Sequence, residues 1–279
     1  MPSTCPVHGA RCGQCWRLAY RLSCSPTGSQ RAPTSEFGRN TIRPLAGRSA
    51  VARVVVGDSR GAESPPRPDV RHPLWSRFLA RFMGDIEAKG NAEYRRENLA
   101  GVRGRVIELG AGTGLNFPHY GPEVTELVAT EPEPYMRERA VKAAAEAPLP
   151  VTVVDWPAEA LDAPDASFDV GIACLVLCCV RDPRRALDEL FRVIRPGGEL
   201  RYYEHVRADT SRLARVQIGA DRIRLSRLLG NEHFARRTER TIREAGFEVE
   251  RERRFRFQPS PIDFISASHV LGAARRPER

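Results

Sequence analysis

Arg105-Val-Ile-Glu-Leu-Gly-Ala-Gly-Thr-Gly114 passes from a short apolar run into three glycines at alternate positions. The first half suits a buried strand, and the glycines permit a sharp turn and close approach of a ligand to the backbone. On either side the chain alternates. A helical stretch over about 91–100 leads in through Gly101 and Gly104. Glu126-Leu-Val-Ala-Thr130 reads as a second strand ending at Glu131, residues 134–146 as a helix, and Val151-Thr-Val-Val154 as a third strand. The apolar run Phe168 to Val180 begins as a fourth strand. Residues 183–194 form a helix that Arg195-Pro-Gly-Gly198 stops, and Glu199 to Glu204 is a fifth strand. Apolar strands separated by helices argue for a parallel sheet covered on both sides, the doubly wound α/β class. Further on, 211–229 and 232–245 read as helices, with Phe247 to Glu250 and about 264–274 as closing strands. Upstream, Leu74, Trp75, Phe78, Leu79, Phe82, Met83 and Ile86 recur at helical spacing, a stripe expected to pack on the same domain.

In a doubly wound sheet, ligands bind at the carboxyl ends of the strands, where the glycine loop lies. Its spacing is G-x-G-x-G with an acid, Glu108, before it. A dinucleotide fold instead uses G-x-G-x-x-G to hold a pyrophosphate. Glu131, 17 positions after Gly114, is placed to accept hydrogen bonds from ribose hydroxyls. Acids without a phosphate cradle suit a cationic nucleoside, and S-adenosylmethionine, with its ammonium and sulfonium, is the expected cofactor. The charge distribution agrees. The formal charge of +9 divides into +7 over residues 1–73, −5 over 74–200 and +7 over 201–279. The overall positive charge is therefore no argument for a nucleic-acid partner.

Residues 1–73 read as a disordered tail. Pro, Gly, Ser and Arg fill 35 of its 73 positions, leaving too little apolar surface to offset chain entropy. Within it, Cys5-x2-His8-x3-Cys12-x2-Cys15 is a candidate zinc-ligand set; no metal is expected elsewhere. The tail lacks the apolar core of a secretion signal. No run approaches the 18 apolar residues of a membrane span. Cys174, Cys178 and Cys179 fall in an apolar run that suits buried thiols. With no disulfide framework, a cytoplasmic location is expected.

Glu108-Leu-Gly-Ala-Gly-Thr-Gly114, Glu131, Ala158-Glu159-Ala-Leu161, Asp165-Ala-Ser-Phe168-Asp169 and Arg195-Pro-Gly-Gly198 together resemble the class I S-adenosylmethionine-dependent methyltransferases of the type 11 group. Asn116-Phe117, Leu175-Val-Leu-Cys178 and Glu204-His205-Val206 are similar to the methyltransferase-like 7 thiol S-methyltransferases and their bacterial relatives. The resemblance implies a Rossmann-like methyltransferase fold, a mostly parallel seven-stranded sheet of order 3-2-1-4-5-7-6 with strand 7 antiparallel. It would span 74–276 as a helical cap (74–100), a cofactor-binding core (101–206) and a substrate-side insertion (207–235). On matching positions, the resemblance implies Glu108, Gly110, Ala111, Gly112 and Gly114 around the methionine part of the cofactor and Glu131 on the ribose. It implies Pro132, Ala158 and Glu159 near the adenine, and Cys174 and Leu175 at the fourth strand's end beneath the cofactor. The acid that often precedes the family's Ala-Glu pair is replaced by Pro157, with Asp155 two places earlier. The membrane-anchoring segment of the animal members has no counterpart here, so their location is not implied.

Methyl transfer from a sulfonium is a direct displacement, so the protein's task is to align the reactants and exclude water. The expected acceptor is a small molecule: a thiol, which needs little activation, or a phenol or quinol, which needs more. His205, just past the fifth strand, is the candidate general base. Tyr202 and Tyr203 point to opposite faces of that strand, so at most one reaches the site. Two other classes are retained: a nucleic-acid-modifying methyltransferase using the basic ends, and a non-catalytic binding module with a zinc-binding tail. Against the first stands the lack of a base-flipping pocket motif such as Asn-Pro-Pro-Tyr.

Overall fold

The computed structural model describes residues 73–223 and 231–278. The disordered-tail reading of the first 72 residues and the candidate zinc ligands Cys5, His8, Cys12 and Cys15 lie outside the described residues.

The elements run α1 (Pro73–Ile86), α2 (Ala92–Leu99), β1 (Gly104–Leu109), β2 (Val124–Thr130), α3 (Pro134–Glu146), β3 (Val151–Val154), β4 (Phe168–Cys174), α4 (Pro183–Val193), β5 (Ile194–His205), α5 (Ser211–Arg222), α6 (Thr238–Glu244), β6 (Glu248–Arg256) and β7 (Ser268–Arg275). The described strands form a seven-stranded sheet in the order β3-β2-β1-β4-β5-β7-β6. Strands β1 to β5 pair in parallel, and β7 runs antiparallel to both β5 and β6. This is the doubly wound, Rossmann-like arrangement expected above.

Alternation along β1 shows why its consecutive residues Val106 and Ile107 are both apolar. Val106 joins one core with Leu127, Ala129, Leu99 of α2 and Ala140 and Ala144 of α3. Its neighbour Ile107 joins the other, with Leu190 and Val193 of α4 and Ile242 of α6. Each larger aliphatic buried this way contributes about 1.5–3 kcal/mol. The helix starts are specified locally. Glu133 caps α3 by accepting from Met136 N at 2.8 Å, and Asp182 caps α4 by accepting from Arg185 N at 3.1 Å, each with proline at the next position. Asp169 of the Phe168-Asp169 pair joins three strands at their base. It accepts from Arg105 N at 2.7 Å and pairs with Arg195 Nε at 2.9 Å.

The strand that begins at Phe168 ends at Cys174, as expected, because Leu175 turns into the left-handed region (φ 56°). Later elements depart from the sequence expectation. Of residues 232–245, only Thr238–Glu244 is helix. The preceding residues bond elsewhere: His233 N to Cys178 O at 2.9 Å, and Phe234 N and Ala235 N to the Asp221 carboxylate at 3.0 Å each. Strand β6 extends to Arg256, well past Glu250, as a largely exposed edge.

Candidate active site

Strands β1 and β4 are neighbours at the point where the strand order reverses, which opens a crevice at their carboxyl ends. The glycine loop leaves β1 there. Gly110, Gly112 and Gly114 have φ of 57°, 59° and 86°, conformations that glycine adopts without strain. A Cβ on Gly110 would collide with the Val176 side chain, whereas one on Gly112 would meet nothing within 4 Å. The backbone is thus packed below and open above, with Ala111 between, its amide bonded to Thr130 O at 2.9 Å.

Glu131 closes the far side of this loop. One carboxylate oxygen accepts from Gly112 N and the other from Glu133 N, both at 2.9 Å. The residue is 7% exposed, and burial pushes its pKa up to about 7 against the pull of those two amides. Pro132 follows, its carbonyl accepting from Arg137 at 2.8 Å.

On the near side, Glu108 is fully sequestered. It accepts from Asn116 Nδ2 at 2.9 Å and from the Tyr120 hydroxyl at 2.6 Å. Burial raises its pKa, and the Tyr120 phenol is pushed up by burial and by Glu108 itself. Arg95 of α2 supplies the balancing charge. Its Nη1 reaches Asn116 Oδ1 at 2.9 Å and Cys174 Sγ at 3.2 Å, while its Nε pairs with Glu87 at 2.9 Å. Asn91 extends the network to the Tyr203 hydroxyl at 2.7 Å. Cys174 is held as a neutral thiol, its pKa pushed up to about 12 chiefly by burial. Sequence reasoning missed Arg95, Tyr120, Glu87 and Asn91. In a helix such as Ala92–Leu99 with no marked apolar face, an arginine reads as a solvated residue, and nothing local shows that the helix lies over a buried carboxylate.

The carboxyl end of β5 forms the third wall. Glu204 is buried and accepts from the amides of Val176, Leu177 and Cys178 at 3.0, 2.9 and 3.1 Å, which fixes the loop after β4. His205 Nδ1 lies 3.0 Å from Glu232 Oε1 and 3.7 Å from Cys178 Sγ. The ring packs against that of His269, centroids 4.6 Å apart. Glu232 raises the pKa of His205 against the opposing effect of burial. Tyr202 and Tyr203 do point to opposite faces, bonding Glu252 and Asn91 respectively.

The expected residues fall into three groups. Glu108, Gly110, Ala111, Gly112, Gly114, Glu131 and Pro132 surround the loop, and Cys174 joins Glu108 through Arg95 and Asn116. Leu175 bonds through its amide to Tyr203 O at 2.7 Å and leads toward His205. Ala158 is buried against Val154 and Leu161. Glu159 accepts from the amides of Arg181 and Asp182 at 3.0 and 3.2 Å, so its carboxylate holds the entry to α4. Among the described residues, no group of three acids, histidines or cysteines is arranged to hold a metal ion.

Residues 107–202 match the methyltransferase domain family. The thiol S-methyltransferase TMT1B of Mus musculus is 31% identical over 205 residues, an alignment covering 71% of this chain and 82% of that protein. The chain belongs to the class I S-adenosylmethionine-dependent methyltransferases. Two solved structures share the methyltransferase's fold. A putative methyltransferase from Bacillus halodurans matches with TM-score 0.55 and 16% identity over 67% of this chain and 99% of its own. The N-methyltransferase NodS of Bradyrhizobium japonicum, in complex with S-adenosyl-L-homocysteine, matches with TM-score 0.52 and 16% identity over 69% and 88%. The methyltransferase's cofactor is S-adenosylmethionine, and the crevice fits it. The space over Gly112 is open, and the two buried acids beside it carry raised pKa values that a cation or new hydroxyl donors would relieve.

Proposed function

We propose that this methyltransferase transfers a methyl group to the sulfur of a small-molecule thiol in the cytoplasm. The likeness to a thiol S-methyltransferase over 82% of that enzyme's length carries the acceptor class. The free thiols of Cys174, Cys178 and Cys179 support a reducing compartment. Among the described residues, no helix is long and apolar enough to cross a membrane.

When bound, S-adenosylmethionine supplies a methyl group made electrophilic by a sulfonium. The chain's residues divide the remaining tasks. Glu131 accepts the ribose hydroxyls in place of its bonds to Gly112 and Glu133. Gly110, Ala111, Gly112 and Gly114 give the methionine part backbone contact, and Glu108 provides negative charge toward the ammonium. Pro132 and Ala158 flank the adenine, with Glu159 shaping the loop beside it. Cys174 and Leu175 form the floor, where Cys174, un-ionised at neutral pH, does not compete as a nucleophile. His205 takes the acceptor's proton. That help is apt because Glu204 and Glu232 lie close by, and a free thiolate is disfavoured among carboxylates.

The test is methyl transfer by the purified full chain, read by mass spectrometry, with a small aliphatic thiol, a phenol and a short RNA offered in parallel. The thiol should yield its methyl thioether and the RNA no product. Methylation of the RNA or the phenol with the thiol untouched would overturn the acceptor assignment.

A further inference from the structure

Four parts of the chain meet around His205, and they are tied together beneath it. Glu204 holds the amides of residues 176–178. The carbonyl of Cys178 in turn receives His233 N at 2.9 Å, and the carbonyl of Leu177 receives the Arg236 guanidinium. The Asp221 carboxylate of α5 takes the amides of Phe234 and Ala235. Segment 231–237 is thereby clamped on both sides, and it carries Glu232 to within 3.0 Å of His205 Nδ1. That Glu232 oxygen is buried and makes no hydrogen bond among the described residues, so its 3.0 Å approach to Nδ1 is an ion-pair contact and the imidazole is the cation it faces.

Two groups compete for Nδ1. The Cys178 thiol at 3.7 Å would donate to it and leave the ring proton on Nε2. The Glu232 carboxylate at 3.0 Å would instead accept from Nδ1–H and leave Nε2 basic. A charge-assisted bond is about twice as strong as a neutral one, and a thiol is a weak donor, so the carboxylate wins. We infer that Glu232 is the positioning residue of His205, holding the Nδ1–H tautomer so that Nε2 receives the acceptor's proton. The inference rests on the reading of His205 as the general base. In the step, the acceptor's S–H bond breaks and its proton goes to Nε2, while the sulfur electron pair forms the bond to the methyl group. The cofactor product leaves as a neutral thioether, and the imidazolium is balanced by Glu232.

The other groups facing the ring are Glu204 on its own strand, Asp263 from the turn before β7, His269 on β7, and Cys178, with Arg236 bonded behind it. His269 stays neutral, its pKa lowered to about 2 by burial and by His205. Glu232 and Glu204 raise the pKa of His205, and in the variant Glu232→Gln one of these charges is lost.

The experiment is a nitrogen-15 NMR titration of imidazoles in the full chain, with His205→Gln assigning the signal, alongside the pH profile of thiol methylation. In the wild type, His205 should show the Nδ1–H tautomer. In Glu232→Gln its midpoint should fall by about one pH unit, and the acidic limb of kcat/KM should move with it. The thiol's own ionisation is common to both profiles and cancels in their ratio. Glu232→Asp, which keeps the charge, should restore most of the shift. An Nε2–H tautomer in the wild type, or an unchanged midpoint in Glu232→Gln, would overturn the positioning role. A midpoint that moves while the rate profile stays fixed would instead remove His205 as the base, and with it any catalytic purpose for Glu232.

Discussion

Glu131 combines two properties that oppose each other. Its position serves a ribose, yet its burial favours the neutral acid, with a pKa of about 7. The sign of the consequence follows. Between the unfolded value near 4.5 and about 7, the folded chain holds a proton that the unfolded chain has lost, so this group makes stability fall as pH rises through that window, by up to about 3 kcal/mol. The cofactor's hydroxyls favour the ionised form, so S-adenosylmethionine should bind more tightly as pH rises toward 7, by up to about tenfold per pH unit. Calorimetry across pH 5.5–8 checks this. Glu131→Gln should lose roughly 1–3 kcal/mol of cofactor affinity and most of the pH dependence; a variant that keeps either would remove the ribose role. Arg95 offers a stability test. Arg95→Leu leaves Glu87 unpaired and Glu108 without its nearby cation, so urea denaturation should show a loss of about 3–5 kcal/mol. The acids at 108 and 131 were legible in the sequence because strand ends beside a glycine loop are defined by local pattern. Arg95 and Tyr120 were not, because their importance lies in a contact between segments far apart in the chain.

At the scale of elements, the loop after β4 depends on a residue of β5. Glu204 satisfies three successive amides that would otherwise be buried without acceptors. Glu204→Leu should therefore speed hydrogen exchange at Val176, Leu177 and Cys178 by tenfold or more, about 1.4 kcal/mol of local protection, with smaller effects on β1 and β2. Exchange raised equally across the sheet would mean that Glu204 serves global stability instead. The alternation of strands and helices was readable from periodicity up to β5. Beyond it, 232–237 reads as helix in the sequence, since its polar pattern permits one, whereas Asp221 together with the Cys178 carbonyl determines its path. The left-handed backbone of Leu175 is equally hidden, because an apolar run gives no sign that one member turns that way.

For the molecule as a whole, the charge map acquires a physical meaning. Part of the positive C-terminal block lies on edge strand β6, where Arg251, Arg253, Arg254 and Arg256 are exposed or nearly so. Arg253 pairs with Glu97 at 2.6 Å, and Arg254 with Glu239 and Asp209 at 3.0 and 3.1 Å. Charged side chains on an edge deter strand-to-strand association, which explains them without nucleic acid. Replacing Arg251 and Arg256 together by Thr should increase self-association, seen by light scattering, and leave cofactor affinity unchanged. The acidic middle block supplies Glu108 and Glu131 to the crevice at the carboxyl ends of the strands, and cofactor binding there is the central claim. Its most direct test is a crystal structure of the chain with S-adenosylhomocysteine. The expected result has both ribose hydroxyls on the Glu131 carboxylate, the adenine against Pro132 and the amino-acid part over Gly110 to Gly114. A ligand bound elsewhere, or Glu131 still bonded only to Gly112 and Glu133, would contradict it.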